Sequence, residues 1–417
     1  MRTLPLSVAL FVVCLTFFGA CSSAPPKLAN PQTSRPAASA DLGVLPRVEG
    51  AWLADFVAMQ RYEELAQQAE KATQYDAAAK LFLAAARASD TVPSPTGMWL
   101  RQRAAAAALH AGDDNLALRA LEDAADHGFR MLDHVDHADL YDPLRNAPRF
   151  LAFREAVKKN AIAYDAAHAE VERARFEFSD VERFWAAYDH AFSGESKSIL
   201  AQAAIFRTEY LGRGTAGLID YHHIKTQSTE ELVRTLRHLK AYYDGIRAQT
   251  LRAKTFEPQM RAGLKRLKAL LPYAPVPDVT FVIGRLNSGG TAGPSGMLIG
   301  LDIWSYQEGV PMDGISPGMQ KAITQVRLEQ LPYVVLHEHI HTIQSFANED
   351  TLLEQSLIEG SADFFATLAL PDAPPLPNHR WGKAHEAQVW ARFKAEMDGT
   401  DSSNWIANQN QVDSDEW

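Results

Sequence analysis

Cysteine is almost absent from this chain. Its 417 residues include two, Cys14 and Cys21, both in the N-terminal stretch. The rest of the chain therefore has no disulfide framework and no cysteine-ligated zinc site. A basic excess is also missing. Lysine and arginine total 41 against 51 aspartates and glutamates, a formal net charge of −10. A nucleic-acid binder usually shows a basic face, so nucleic acid is not expected as a partner. The 47% of hydrophobic and 22% of charged residues suit buried cores. The length allows two to three domains at about 150 residues each.

The first residues, MRTLPLSVALFVVCLTFFGAC, carry one early arginine, an apolar run to Phe18, and then the small Gly19 and Ala20. This is the pattern of a secretory signal, and the run is short for a membrane span. Phe18-Gly19-Ala20-Cys21 resembles the lipobox of bacterial lipoproteins, with Phe where Leu is usual. The resemblance implies a signal peptide over 1–20, cleavage before Cys21 and acylation of Cys21. Ser22, in place of an aspartate retention signal, implies the outer membrane, facing the periplasm. Residues 21–50 are rich in Pro, Ser and Ala, which reads as a flexible tether.

Residues 51–160 read as helical and alanine-rich. Ala78, Phe82 and Ala85 recur as Ala117, Leu121 and Ala124, each 39 positions on, with Gly112-Asp113 at the turn before the second copy. This resembles a tetratricopeptide-type region, which implies packing or a protein partner. Residues 175–400 read as a second unit. Its first part is helical to Leu271, and one apolar stripe runs from Leu232 to Ile246 behind a Ser228/Glu231 capping box. Val279–Ile283 reads as a strand, NSGGTAGPSG as a flexible connection and MLIGLDIW as a second strand. The glycine loop lacks the Lys-Ser/Thr of a phosphate cradle. Pro332 is placed to open the next helix. The expected fold is mainly α with a small β-sheet, an α+β domain preceded by helical repeats. Residues 401–417 read as a polar tail, cut short.

LHEHIHTIQ, at 336–344, holds three histidines and a glutamate within five residues. HExxH arises by chance roughly 0.03 times in a chain of this composition. His337 and His341 are four apart, about 40° of rotation and roughly 6 Å of rise on a helix, so their imidazoles share a face. Two such imidazoles make half a zinc site. Glu338 lies about 100° round the helix, beside the ion, where a general base stands. His339 points away, toward packing or solvent. A third ligand is needed, and eighteen residues on comes Glu359, then Asp363 one turn later. His379 and His385 are the alternatives, beyond a proline-rich break.

The spacing of these residues resembles the gluzincin class of zinc peptidases. The resemblance implies zinc held by His337, His341 and Glu359, with Asp363 accepting a hydrogen bond from His337 Nδ1. It implies Gly360 and Ala362 as small residues that let the two helices approach. It also implies an edge strand, here Gly296–Trp304, pairing with an extended substrate. Residues 180–395 look like a family of bacterial zinc-dependent proteases, often secreted or lipid-anchored. That family implies a zinc-dependent peptidase of the cell envelope, acting on a peptide or protein substrate with Glu338 as base. No tyrosine follows Glu359, so either the chain is cut short relative to the class or oxyanion stabilisation falls to His379 or His385. The alternatives are a non-catalytic envelope adaptor that binds zinc, and hydrolysis of a non-peptide amide.

Overall fold

The structure is a computed structural model, and it describes residues 52–344, 351–373 and 377–405. The expected signal peptide, Cys21, the tether and the tail beyond 405 lie outside the described residues. Four helices open the fold: α1 (Trp52–Lys71), α2 (Tyr75–Ala88), α3 (Gly97–His110) and α4 (Asp114–Asp126). They pack in sequence, each against the next. The recurring positions explain this. Ala78, Phe82 and Ala85 on α2 and Ala117, Leu121 and Ala124 on α4 are all fully buried. The small residues bring the helices close, and the large one fills the space between them. The two turns correspond as well. Thr73 and Gly112, 39 apart, both take positive φ. Asp113 caps α4 by accepting from the Leu116 amide at 2.8 Å. A long helix, Pro148–Ala167, packs against α4 and completes this helical lobe.

The remainder is also helical, around one four-stranded sheet. Strands β1 (Phe176–Glu177), β2 (Val279–Val282), β3 (Gly290–Gly293) and β4 (Gly296–Gly300) lie in the order β1-β2-β4-β3. β2 is parallel to β1 and to β4, while β3 is antiparallel to β4. The mainly α fold with a small sheet is as expected, but several details differ. The glycine-rich segment is a strand, β3, and not a loose connection. Gly296–Trp304 is not an edge strand. It splits into β4, buried between β2 and β3, and a helical turn over Leu301–Trp304. The sheet's edges are β1 and β3. The apolar stripe from Leu232 to Ile246 is carried by two helices that break at Leu239, Thr229–His238 and Lys240–Arg252. Ser228 caps the first as expected, accepting from the Glu231 amide.

The motif helix, Leu331–Ile343, has Pro332 in its first turn and lies against β3 and β4. The helix Glu257–Leu270 crosses it at Gly263, where a Cβ would press on Leu336. The glutamate helix, Leu352–Ala369, covers a third side. Ala362 and Ala366 are its fully buried contacts. Gly360, expected to ease this approach, faces open space instead.

The helical lobe docks on the segment that follows residue 219. Asp220 is fully buried and accepts from Ser94 Oγ and from the Ser295 amide. Glu63 of α1 meets His223 Nε2 at 3.0 Å and Arg103 of α3 at 3.1 Å. Burial raises the Asp220 pKa; His223 is raised despite its burial, because Glu63 holds its charged form.

Phe82→Ala should lower the unfolding free energy by about 3–5 kcal/mol, because it empties a filled site. Leu151→Ala, at a position 51% exposed, should change it by roughly 0.5 kcal/mol or less. Urea titrations of the two variants check this; equal losses would contradict the packing described.

Candidate metal centre

Three side chains converge. His337 Nε2 and His341 Nε2 are 3.0 Å apart, and Glu359 Oε2 lies 3.4 Å from the first and 3.6 Å from the second. Tetrahedral zinc with ligands at about 2.0–2.1 Å spaces its donors about 3.3 Å apart. The three atoms therefore form one face of such a polyhedron before any ion arrives. Within the described residues this is the group of donors able to hold a metal.

Each histidine ligand is aimed by a second hydrogen bond. His337 Nδ1 donates to Asp363 Oδ1 at 2.8 Å, and His341 Nδ1 donates to Gln344 Oε1 at 2.6 Å. With both Nδ1 protons so occupied, both rings present Nε2 to the same point. Gln344 is held in turn, donating to Ile358 O and Ser361 Oγ, both at 2.7 Å. Asp363 accepts two more bonds, from Tyr333 Oη at 2.5 Å and His379 Nε2 at 3.1 Å. Thr351 and Glu354 form a reciprocal capping box that sets the start of the glutamate helix. Two turns later, Glu359 faces the histidines.

The electrostatics follow from this burial and pairing. Burial disfavours the charged His337 imidazole, but the hydrogen bonds and charges of Asp363 and Glu359 outweigh it and raise it to about 10. Burial also works against ionised Glu359, and the two histidines reverse that, taking it to about 2. Asp363 is held far below the carboxylate range, burial again being outweighed by its bond from His337. Metal-free, the site is thus an imidazolium between two carboxylates, with His337 Nε2–H donating to the His341 lone pair.

Glu338 is fully buried, and both its oxygens lack a hydrogen-bond partner among the described residues. Burial pushes it up to about 7, against the pull of His341 and His337. β3 closes over it, and a Cβ at Gly290 would collide with Oε1. An orphaned carboxyl beside three convergent donors fits a cation better than it fits an apolar core. His339 faces away as expected, and it is packed, not solvated. It is 1% exposed, its Nε2 donates to Pro275 O at 2.8 Å, and burial lowers it to about 4.

His337, Glu338, His341, Glu359 and Asp363 therefore come together where their spacing placed them. His379 is not a ligand but a donor to Asp363. His385 is exposed and bonds to Trp381 O of the preceding helix. Tyr333 and Gln344 were not foreseen as supports. Their signals are local: Tyr333 lies one turn before His337, and Gln344 three residues after His341, on faces the motif itself defines.

The family model described as gliding motility protein GldB matches residues 158–397, more than half of the chain. No curated protein and no solved structure matches. The match overturns the expected kinship with zinc-dependent proteases, since no protease family matches. The peptidase activity and the role of Glu338 as its base fall with it. The geometry supplies a physical reason why the motif misled. Convergence of two histidines and a glutamate is what any three-ligand site requires. Hydrolysis also needs an oxyanion donor, and each histidine named for that task is engaged elsewhere: His379 by Asp363 and His385 by Trp381 O.

Asp363→Ala should keep the fold and weaken zinc binding about 10–100-fold, and Gln344→Ala should act in the same direction. Glu359→Ala should be worse, because it deletes a donor. His339→Ala should leave zinc affinity unchanged while lowering stability, since it vacates a buried site. Competition titration with a zinc chelator, with melting curves alongside, ranks the four. Zinc loss in His339→Ala with Asp363→Ala unaffected would overturn the assignment.

Proposed function

Because the chain belongs to the family of the gliding motility protein GldB, we propose that it is a non-catalytic lipoprotein serving gliding motility, built around a structural zinc site. Membership supports a lipoprotein of the cell envelope, associated with the membrane and with protein partners. The finer location, anchored by Cys21 in the outer membrane and facing the periplasm, rests on the lipobox resemblance. The observation that carries the metal reading is the 3.0–3.6 Å triangle of His337, His341 and Glu359 donors. Zinc there would tie the motif helix to the glutamate helix and discharge a buried cluster of charges. The helical lobe is suited to a partner protein, as its repeat-like packing suggests.

The reading is tested in the native host by gliding speed and by zinc content of the purified protein. A His337→Ala/His341→Ala double variant should lose zinc and glide poorly. Glu338→Gln should keep both zinc and gliding. Lost gliding in Glu338→Gln with zinc retained would restore a chemical role and defeat the non-catalytic reading.

The charge state of His337 sets a pH dependence. Its folded pKa is raised from 6.5 to about 10, so in the metal-free protein its pairing stabilises the fold fully below pH 6.5. That contribution fades as the pH climbs through about 10. A metal must displace the same proton, so its binding strengthens over the same window. At constant buffered free zinc, the rise in Tm on adding metal should be larger at pH 8.5 than at pH 6.5 (both about ±0.1). A rise independent of pH would show that His337 is not a ligand.

A further inference from the structure

A cleft opens between the helical lobe and the β3–β4 hairpin. Its lining includes His341 and Gln344 as well as Arg130 and Tyr164. Its walls are mostly apolar, with Trp99, Leu100 and Met131 from the lobe and Ile224 opposite. Trp99, Leu100 and Met131 lie outside 158–397, so this wall is not part of the family match.

The charges in the cleft are unequally answered. Arg103 is paired with Glu63 and Glu70, and His223 with Glu63. Arg130 is different. Its guanidinium lies over the Tyr164 ring at 3.9 Å, donates to Pro294 O at 3.2 Å and reaches Met98 Sδ at 3.6 Å. Among the described residues no carboxylate stands within ion-pair distance of it. A half-buried guanidinium next to apolar walls, whose contacts are neutral and which Asp165 reaches only electrostatically, is a place for an anion.

The third wall carries main-chain chemistry. Ala292 and Gly293 line the cleft from β3, and β3 is an edge of the sheet. Gly300 N–H donates to Gly289 O, so the ladder bonds with β4 fall at 289, 291 and 293. The amide of Ala292 therefore points away from β4. An edge with small side chains and an unpaired amide accepts another extended chain. An acyl chain would leave it unused.

From these three features we infer that the cleft binds the free C-terminus of a polypeptide with an apolar last residue. The terminal carboxylate sits on Arg130, the last side chain lies among Trp99, Leu100 and Met131, and the main chain pairs along β3. Nothing is cleaved. The inference goes beyond the zinc reading and does not require the ion.

The test uses the detergent-solubilised full-length protein and the tetrapeptide Ala-Gly-Ala-Leu, as free acid and as C-terminal amide. Calorimetry is run with zinc and with chelator, so that loss of metal and loss of peptide binding are read separately. The free acid should bind with a Kd below about 1 mM. The amide should bind about tenfold more weakly, or worse. Arg130→Gln should weaken the free acid by the same factor and leave the amide unchanged, and Arg130→Lys should recover part of the loss. Should Arg130→Gln not fold, the acid–amide difference on the unaltered protein still decides the point. Equal affinity for acid and amide, or no binding of the acid, overturns the proposal. So does laurate that binds more tightly than the peptide, which would make the cleft an acyl site.

Discussion

A helix buried on every side that carries three imidazoles and a carboxylate must find a partner for each of them, and the architecture around Leu331–Ile343 follows from that demand. His337, Glu338, His339 and His341 are all 5% exposed or less. The three imidazoles are each answered by a different neighbour. The glutamate helix supplies Asp363 and Glu359, Gln344 at the end of the motif helix supplies an acceptor for His341, and the Pro275 carbonyl takes His339. Glu338 alone is left without one, against the backbone of β3. The metal-free cluster balances its charges by keeping a proton on His337 between two carboxylates. A dication would replace that proton and use the carboxyl left over.

Asp363 concentrates this arrangement. It gathers a histidine, a tyrosine and a second histidine from the motif helix and from Pro377–Ala384, so three segments of the chain meet on one carboxylate. Such a hub holds the ligand rings at fixed angles, which an isolated pair of helices would not do. The same carboxylate occupies His379, and so removes the histidine that a hydrolytic reading would have assigned to the reacting oxygen. A motif shared with enzymes is thus built into surroundings that hold its residues still.

The helical lobe takes part in this centre without touching the metal ligands directly. Asp220, Glu63 and His223 fasten it to the segment before the sheet, and Arg130 reaches across to the hairpin turn at Pro294. The lobe becomes one wall of the cleft that His341 also lines. A region readable alone as a partner-binding repeat is, in the fold, also the neighbour that shapes access to the site.

Much of the centre was legible in the chain because it is local. His337 and His341 share a face through the pitch of one helix, His339 is turned away by the same pitch, and the step from Glu359 to Asp363 is one further turn. The recurrence at 39 residues likewise named the buried positions on α2 and α4. The remainder depended on where separate elements came to rest. Which strand forms the sheet edge, that NSGGTAGPSG pairs with β4, and that Gly360 faces outward while Ala362 packs are outcomes of long-range pairing, which short-range periodicity does not contain. The role of the metal-like cluster belongs to that second class as well. Spacing determines which donors can meet, whereas the groups packed around them determine what their meeting is for.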